Sequence, residues 1–126
     1  MYERILVVED DTTMRNMLVD RLTKYYYEVI QAEDGEQAVA KFFAEKPHLI
    51  LLDIMLPKLN GFEALQVIGD RLSSPTLLPP IIILSNFNKP EFIAKAKEFN
   101  AREYLIKSQT EIEMVCDKIA EVLRKK

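Results

Sequence analysis

One cysteine, Cys116, leaves no partner for a disulfide within the chain and no set of thiols for a zinc cage. His48, the one histidine, has no second imidazole with which to share a metal. Long apolar runs are missing too. None approaches the roughly 20 residues of a membrane span, and MYERILVVEDD turns acidic after a short apolar stretch, unlike a signal peptide. No membrane insertion and a cytoplasmic location are the resulting expectations. A basic excess is also lacking: the net charge is -3 and the pI is near 5.3. Nothing resembles the cationic stripe that holds nucleic acid, so no direct nucleic-acid partner is expected. Linkers, internal repeats and low-complexity tracts are absent, which leaves one domain over residues 1–126.

What is present suffices for a core, since 48% of the 126 residues are hydrophobic and 29% charged. The apolar pattern alternates between short β-rich runs and longer helical spacings, the mark of βα units around a parallel sheet. Strands are predicted at Arg4 to Val8, Glu28 to Ala32, Leu49 to Asp53, Ile81 to Ser85 and Tyr104 to Lys107. The central runs are nearly continuous Ile, Leu and Val, as needed where helices cover both faces. Helix starts are predicted from capping pairs at Asp34 with Gln37, Asn88 with Glu91, and Thr110 with Glu113. Asn60 and Gly61 read as a turn. The first helix would bury Met14, Met17, Leu18, Leu22 and Tyr25, and the last Ile112, Val115, Cys116, Ile119, Val122 and Leu123. Asn100 suits a left-handed helix stop, and Leu72 to Pro80 is the longest predicted loop.

In an open parallel sheet the carboxyl ends of the strands share one edge, and ligands sit outside it. That edge collects Glu9, Asp10 and Asp11 from strand one, Asp53 from strand three, Ser85 from strand four and Lys107 from strand five. Two carboxylates about 4 Å apart repel by about 4 kcal/mol at an effective dielectric near 20, so Asp10 facing Asp53 calls for a counter-ion. Oxygen ligands alone select a hard cation, and few protein ligands with open water positions suit Mg2+. His48 lies at the other end of strand three and cannot join. Asp53, with a free oxygen, is then a nucleophile for a phosphoryl group, while Lys107 neutralises charge and Ser85 donates a hydrogen bond.

VVEDD at Val7 to Asp11, DIMLPKLNG at Asp53 to Gly61, Ser85 closing a strand and YLIK at Tyr104 to Lys107 together resemble the receiver domain of two-component response regulators, of the chemotaxis-regulator kind. The resemblance covers nearly the whole chain. It implies a flavodoxin-like α/β fold, a doubly wound five-stranded parallel sheet in the order 2-1-3-4-5 flanked by five helices. It implies phosphorelay signal transduction: Asp53 is the phosphoacceptor, and Asp10, Asp53 and the backbone carbonyl of Met55 hold Mg2+, with Glu9 acting through water. Ser85 takes the place of the switch hydroxyl, Lys107 of the phosphate-pairing lysine and Tyr104 of the aromatic that reports activation. Met55 and Phe87 occupy positions that tune hydrolysis.

The implied donor is a sensor histidine kinase or histidine phosphotransfer protein. The implied output is a downstream protein in trans or an output domain outside this chain. The state would be a monomer or a homodimer favoured by phosphorylation, and no separate substrate is expected, so the chain is not read as an enzyme. Three positions depart from the family pattern, the mildest being Asn100, where glycine often stops the fourth helix. Ser108 stands where a cis proline usually follows the lysine, and a trans bond is expected there because a non-proline cis bond costs roughly 3 kcal/mol. Asn86 stands where a small residue is usual, either crowding the phosphoryl pocket or adding a contact, which makes it a third tuning position.

Two alternatives remain: a pseudo-receiver that binds partners without taking phosphate, and a phosphohydrolase resembling haloacid dehalogenases. The latter class places an acid two residues past its aspartate, where this chain has Met55. Asp11 reads as a solvated residue leading into the first helix. Cys116 reads as core, and Tyr25, Tyr26 and Tyr27 divide between core and surface.

Overall fold

The structure is a computed structural model that describes residues 2–124. Its elements are β1 (Arg4–Val8), α1 (Thr12–Lys24), β2 (Glu28–Ala32), α2 (Gly35–Glu45), β3 (Leu49–Leu52), α3 (Gly61–Arg71), β4 (Ile81–Ser85), α4 (Pro90–Glu98), β5 (Ala101–Ile106) and α5 (Ile112–Arg124). Short 3-10 turns cover Pro75–Leu77 and Lys107–Gln109. The strands are all parallel in the order β2-β1-β3-β4-β5, the flavodoxin-like arrangement expected. Chain order reverses direction between β1 and β3, and a crevice opens at such a switch point.

Alternation along each strand divides the core in two. Ile5, Val7, Leu49, Leu51, Ile82 and Leu84 face α1 and α5, which contribute Leu18, Leu22, Val115, Ile119 and Leu123. On the other face, Leu6, Val8, Ile50, Leu52 and Ile83 meet Val39 and Phe42 of α2 and Phe62, Leu65 and Ile68 of α3. Burial on both faces explains why these strands carry no polar alternation.

Several boundaries differ from the sequence expectation, each for a local reason. β3 stops at Leu52, one residue early. β5 begins at Ala101 rather than Tyr104; it is an edge strand with no fully buried residue, so Arg102 and Glu103 hide it in the sequence. A register shift between Ile81 and Ile82 lies opposite that start. In α1, Met17 and Tyr25 are 50% and 48% exposed rather than core. The inward stripe is Arg15, Leu18 and Leu22, and Met17 is turned about 100° from Leu18 on the helix.

Among the expected caps, Asp34 accepts the Gln37 N–H at 2.7 Å, but Gln37 reaches back to the N–H of Glu33, one residue early. Asn88 caps nothing, because α4 starts at Pro90 with Lys89 as the flanking residue and no side-chain bond. Proline at the first helical position presets its own dihedral and pushes the preceding residue to extended geometry. α5 starts at Ile112, and Glu111 rather than Thr110 supplies the first carbonyl, to the N–H groups of Met114 and Val115. Glu113 instead accepts the Tyr25 hydroxyl at 2.6 Å and pairs with Arg21, tying α5 to α1. Asn60 and Gly61 form a helix start rather than a free turn: Asn60 caps α3 in a reciprocal box with Glu63. Asn100 does adopt the left-handed conformation, with φ of 62°.

Candidate functional site

The ladder extends one residue past β1 and β3, and this delivers the acids. Glu9 donates its N–H to the Ala32 carbonyl at 3.0 Å, and Asp53 donates its N–H to Val8 at 3.1 Å. Both side chains are therefore fixed at the carboxyl rim, 2% and 5% exposed respectively. Asp10, the next residue after Glu9, is exposed. One oxygen each from Glu9, Asp10 and Asp53 lies within 4.8 Å of the others. Asp11 is more than a solvated lead-in, since it caps α1 by accepting the Met14 N–H at 3.0 Å.

Gly61 allows the crevice floor to close. A Cβ there would stand 2.7 Å from the Asp53 carbonyl oxygen and 2.9 Å from Ile54 Cα, while the Gly61 N–H donates to Ile54 at 2.8 Å. Only glycine lets α3 begin so near the Asp53 backbone.

Lys107 opens the 3-10 turn after β5, and its Nζ stands 2.5 Å from both Glu9 Oε1 and Asp53 Oδ2. The other oxygens are occupied as well: Asp53 Oδ1 accepts the Met55 N–H at 3.1 Å, and Glu9 Oε2 accepts the Asp11 N–H at 3.1 Å. Burial alone would lower the Lys107 pKa, but its bonds to Asp53 and Glu9 outweigh that and hold it above the ordinary lysine value. The ammonium thus stays charged. Burial raises the Glu9 pKa, with Lys107 and the Asp11 N–H working against it.

The chemistry of this donor set fits a hard divalent cation: three carboxylates, one of them open to solvent, with no imidazole or thiolate among them. His48 is far off, its Nδ1 accepting the Arg4 N–H at 2.8 Å at the start of β1.

The remaining predicted residues form a second, linked set. Ser85 is fully buried and its hydroxyl accepts the Phe87 N–H at 3.3 Å. The Tyr104 hydroxyl donates to the Phe87 carbonyl, and burial followed by the charge of Asp53 raises its pKa. Met55 and Phe87 are exposed. The Asn86 Oδ1 accepts the Ser108 N–H at 2.9 Å. The bond before Ser108 is trans, as expected.

Arg15 escaped the sequence reading. It is buried, donating from one terminal nitrogen to the Glu9 carbonyl at 2.8 Å and from Nε to Gln31 Oε1 at 3.2 Å. Its signal was the spacing to Leu18 and Leu22, which puts it on the inward stripe of α1. The buried guanidinium is thus held by a backbone carbonyl and an amide oxygen.

Comparison with known proteins agrees with this geometry. A solved structure described as a response regulator receiver domain protein (CheY-like) from Methanospirillum hungatei superposes with a TM-score of 0.88 at 27% identity, covering 99% of this chain and 96% of that one. The chain is 36% identical over 123 residues to "Probable transcriptional regulator ycf27" of Porphyridium aerugineum, covering 98% of this chain and 49% of that protein. It is 37% identical over 107 residues to the alkaline phosphatase synthesis transcriptional regulatory protein PhoP of Bacillus subtilis, with 85% and 43% covered. The chain spans about half the length of these curated relatives. Both are named for transcription, so the expectation of no nucleic-acid partner, drawn from charge alone, gains no support from them. Among the described residues no helix is long and apolar enough to cross a membrane. Residues 5–119 match the response regulator receiver domain family, and the chain belongs to that family of two-component signalling modules.

Proposed function

We propose that this chain is a phosphoryl-operated switch that accepts a phosphoryl group on Asp53 from a sensor histidine kinase or histidine phosphotransfer protein in the cytoplasm. The observation that carries the reading is Lys107 Nζ at 2.5 Å from both Glu9 and Asp53, with an Asp10 oxygen in the same acidic cluster. One cationic group and three acids on one rim are what an incoming dianion and its counter-ion need.

Asp53 forms the oxygen–phosphorus bond as the donor's nitrogen–phosphorus bond breaks and the imidazole leaves with the electron pair. Asp10, Asp53 and the Met55 carbonyl would hold Mg2+, with Glu9 acting through water, and the chemistry it supplies when bound is neutralisation of phosphoryl charge. Lys107 hands its bond to Asp53 over to a phosphoryl oxygen and keeps Glu9. Met55 and Phe87 flank the mouth and govern the access of water to the acyl phosphate.

Ser85 then turns its hydroxyl from the Phe87 N–H to the phosphoryl group. Phe87 also carries the carbonyl that holds the Tyr104 hydroxyl, so release on one side of that residue loosens the other. The surface around Tyr104 shifts its population by as much as the phosphoryl group's contacts differ between the two states. The chain works on its own aspartate and has no separate substrate. Its output goes to a protein in trans or to an output domain, and the relatives' names point to transcription through the half they do not share. Monomers, or dimers favoured by phosphorylation, would deliver it.

Intact-mass measurement after incubation with Mg2+ and a small acyl-phosphate donor tests this. The expected result is one phosphoryl group gained, none in Asp53→Asn and none without Mg2+. A folded wild-type protein that gains nothing would instead be a partner-binding pseudo-receiver.

A further inference from the structure

Lys107 sits outside the sheet, in the three-residue 3-10 turn that follows β5. Ser85 with Ile106 is the last paired position of β4 and β5, and Lys107 follows it in a three-residue turn. That turn closes on a long bond, the Thr110 N–H to the Lys107 carbonyl at 3.4 Å. The next backbone group, the Ser108 N–H, is taken at 2.9 Å by Asn86 Oδ1, which reaches across from the residue after Ser85. The segments that follow β4 and β5, neighbours on one side of the acid-bearing strands, are thereby joined just where the lysine leaves the sheet.

From this geometry we infer that Asn86 is a positioning residue for phosphoryl transfer, acting through the Ser108 N–H to hold the Lys107 backbone so that its ammonium spans Glu9 and Asp53. The inference rests on the phosphoryl-acceptor reading given above. Among the described residues no hydrogen bond joins Asn86 to the acids or to the Lys107 side chain, so its influence passes through the turn.

The residue type suits the task. An amide carbonyl accepts the N–H without adding negative charge, whereas a carboxylate would set a fourth acid beside Glu9, Asp10 and Asp53 and compete for Lys107. Lys107 has a flexible four-carbon stem and can still reach the rim from a displaced backbone. Loss of the bond should therefore slow the reaction rather than abolish it.

Three readouts on the full chain test this. In Asn86→Ala, hydrogen exchange at the Ser108 amide should quicken about fivefold, and the rate of Mg2+-dependent labelling by a small acyl phosphate should fall about fivefold, as expected for one net hydrogen bond. Mg2+ affinity should stay as in the wild type, because the acids are untouched, and the melting temperature should fall by no more than a few degrees, as for one exposed hydrogen bond. Ser108→Ala keeps the backbone N–H and should keep the rate. An unchanged labelling rate in Asn86→Ala overturns the inference, and so does a slow rate accompanied by lost Mg2+ affinity and a melting temperature lowered by about ten degrees or more, which would mark a merely structural role. If the wild type takes no phosphoryl group the proposed function fails instead, and the exchange rate at Ser108 alone decides whether the clamp exists.

Discussion

Lys107 holds two buried carboxylates with one ammonium, so its removal leaves Glu9 and Asp53 facing each other with no cation between them. Lys107→Met is expected to cost roughly 3 kcal/mol, the low end for a broken buried pair, because the lysine side chain is 17% exposed. Urea denaturation measures it, and Mg2+ should restore part of the loss by replacing the missing charge. A cost near zero would mean that solvent already screens the pair. Gly61→Ala is a second test at this scale. Its new methyl would stand 2.7 Å from the Asp53 carbonyl oxygen, so a loss of roughly 1–3 kcal/mol is expected. Asp10, Asp53 and Lys107 were legible in the sequence because strand ends share an edge whatever the details of packing. Arg15 was not, since a guanidinium on an apolar stripe looks like a surface residue until its partners, the Glu9 carbonyl and Gln31, are placed. Nor was the direct bond of Glu9 to Lys107, which depends on where the turn after β5 sends the side chain.

Helices and strands were legible in proportion to their burial. β1, β2 and β4 fall where their apolar runs lie, and β3 is one residue shorter. β5 was half hidden, because at the sheet edge a strand keeps Arg102 and Glu103 in contact with solvent. Caps were read less well, since several polar residues near a helix start can compete for the same N–H groups. Asn60 does the capping at α3, whereas Asn88 is displaced at α4 by Pro90. Asn60→Ala should therefore destabilise the protein by about 1 kcal/mol, while Asn88→Ala should change stability by less than about 0.5 kcal/mol. Thermal unfolding of the two variants separates them. Equal effects would place a cap at Asn88 after all.

Across the whole molecule, two helical layers on one sheet follow from the doubly apolar strands, and the acidic rim follows from parallel pairing. The same packing sets a limit at high pH. Tyr27 lies half-buried against the α1 and α5 face, and burial, followed by the charge of Glu3, raises its pKa above 10.0. The folded chain holds that proton longer than the unfolded chain. As pH climbs past 10.0 the unfolded state ionises first and gains, so stability declines from there upward and is unaffected below. Lys107 adds to the same decline, because its ion pairs contribute fully below 10.5 and are lost as pH rises through its raised value. Tyr27→Phe should flatten the alkaline arm of a denaturation series without altering its neutral plateau. The proposed chemistry, however, depends on Glu9, Asp10 and Asp53 acting together on one divalent ion. Calorimetric titration with Mg2+ probes that most directly. Wild-type protein should bind one ion per chain, with binding lost in Asp10→Asn and in Asp53→Asn. Binding that is absent from the folded wild type, or that survives both substitutions, would contradict it.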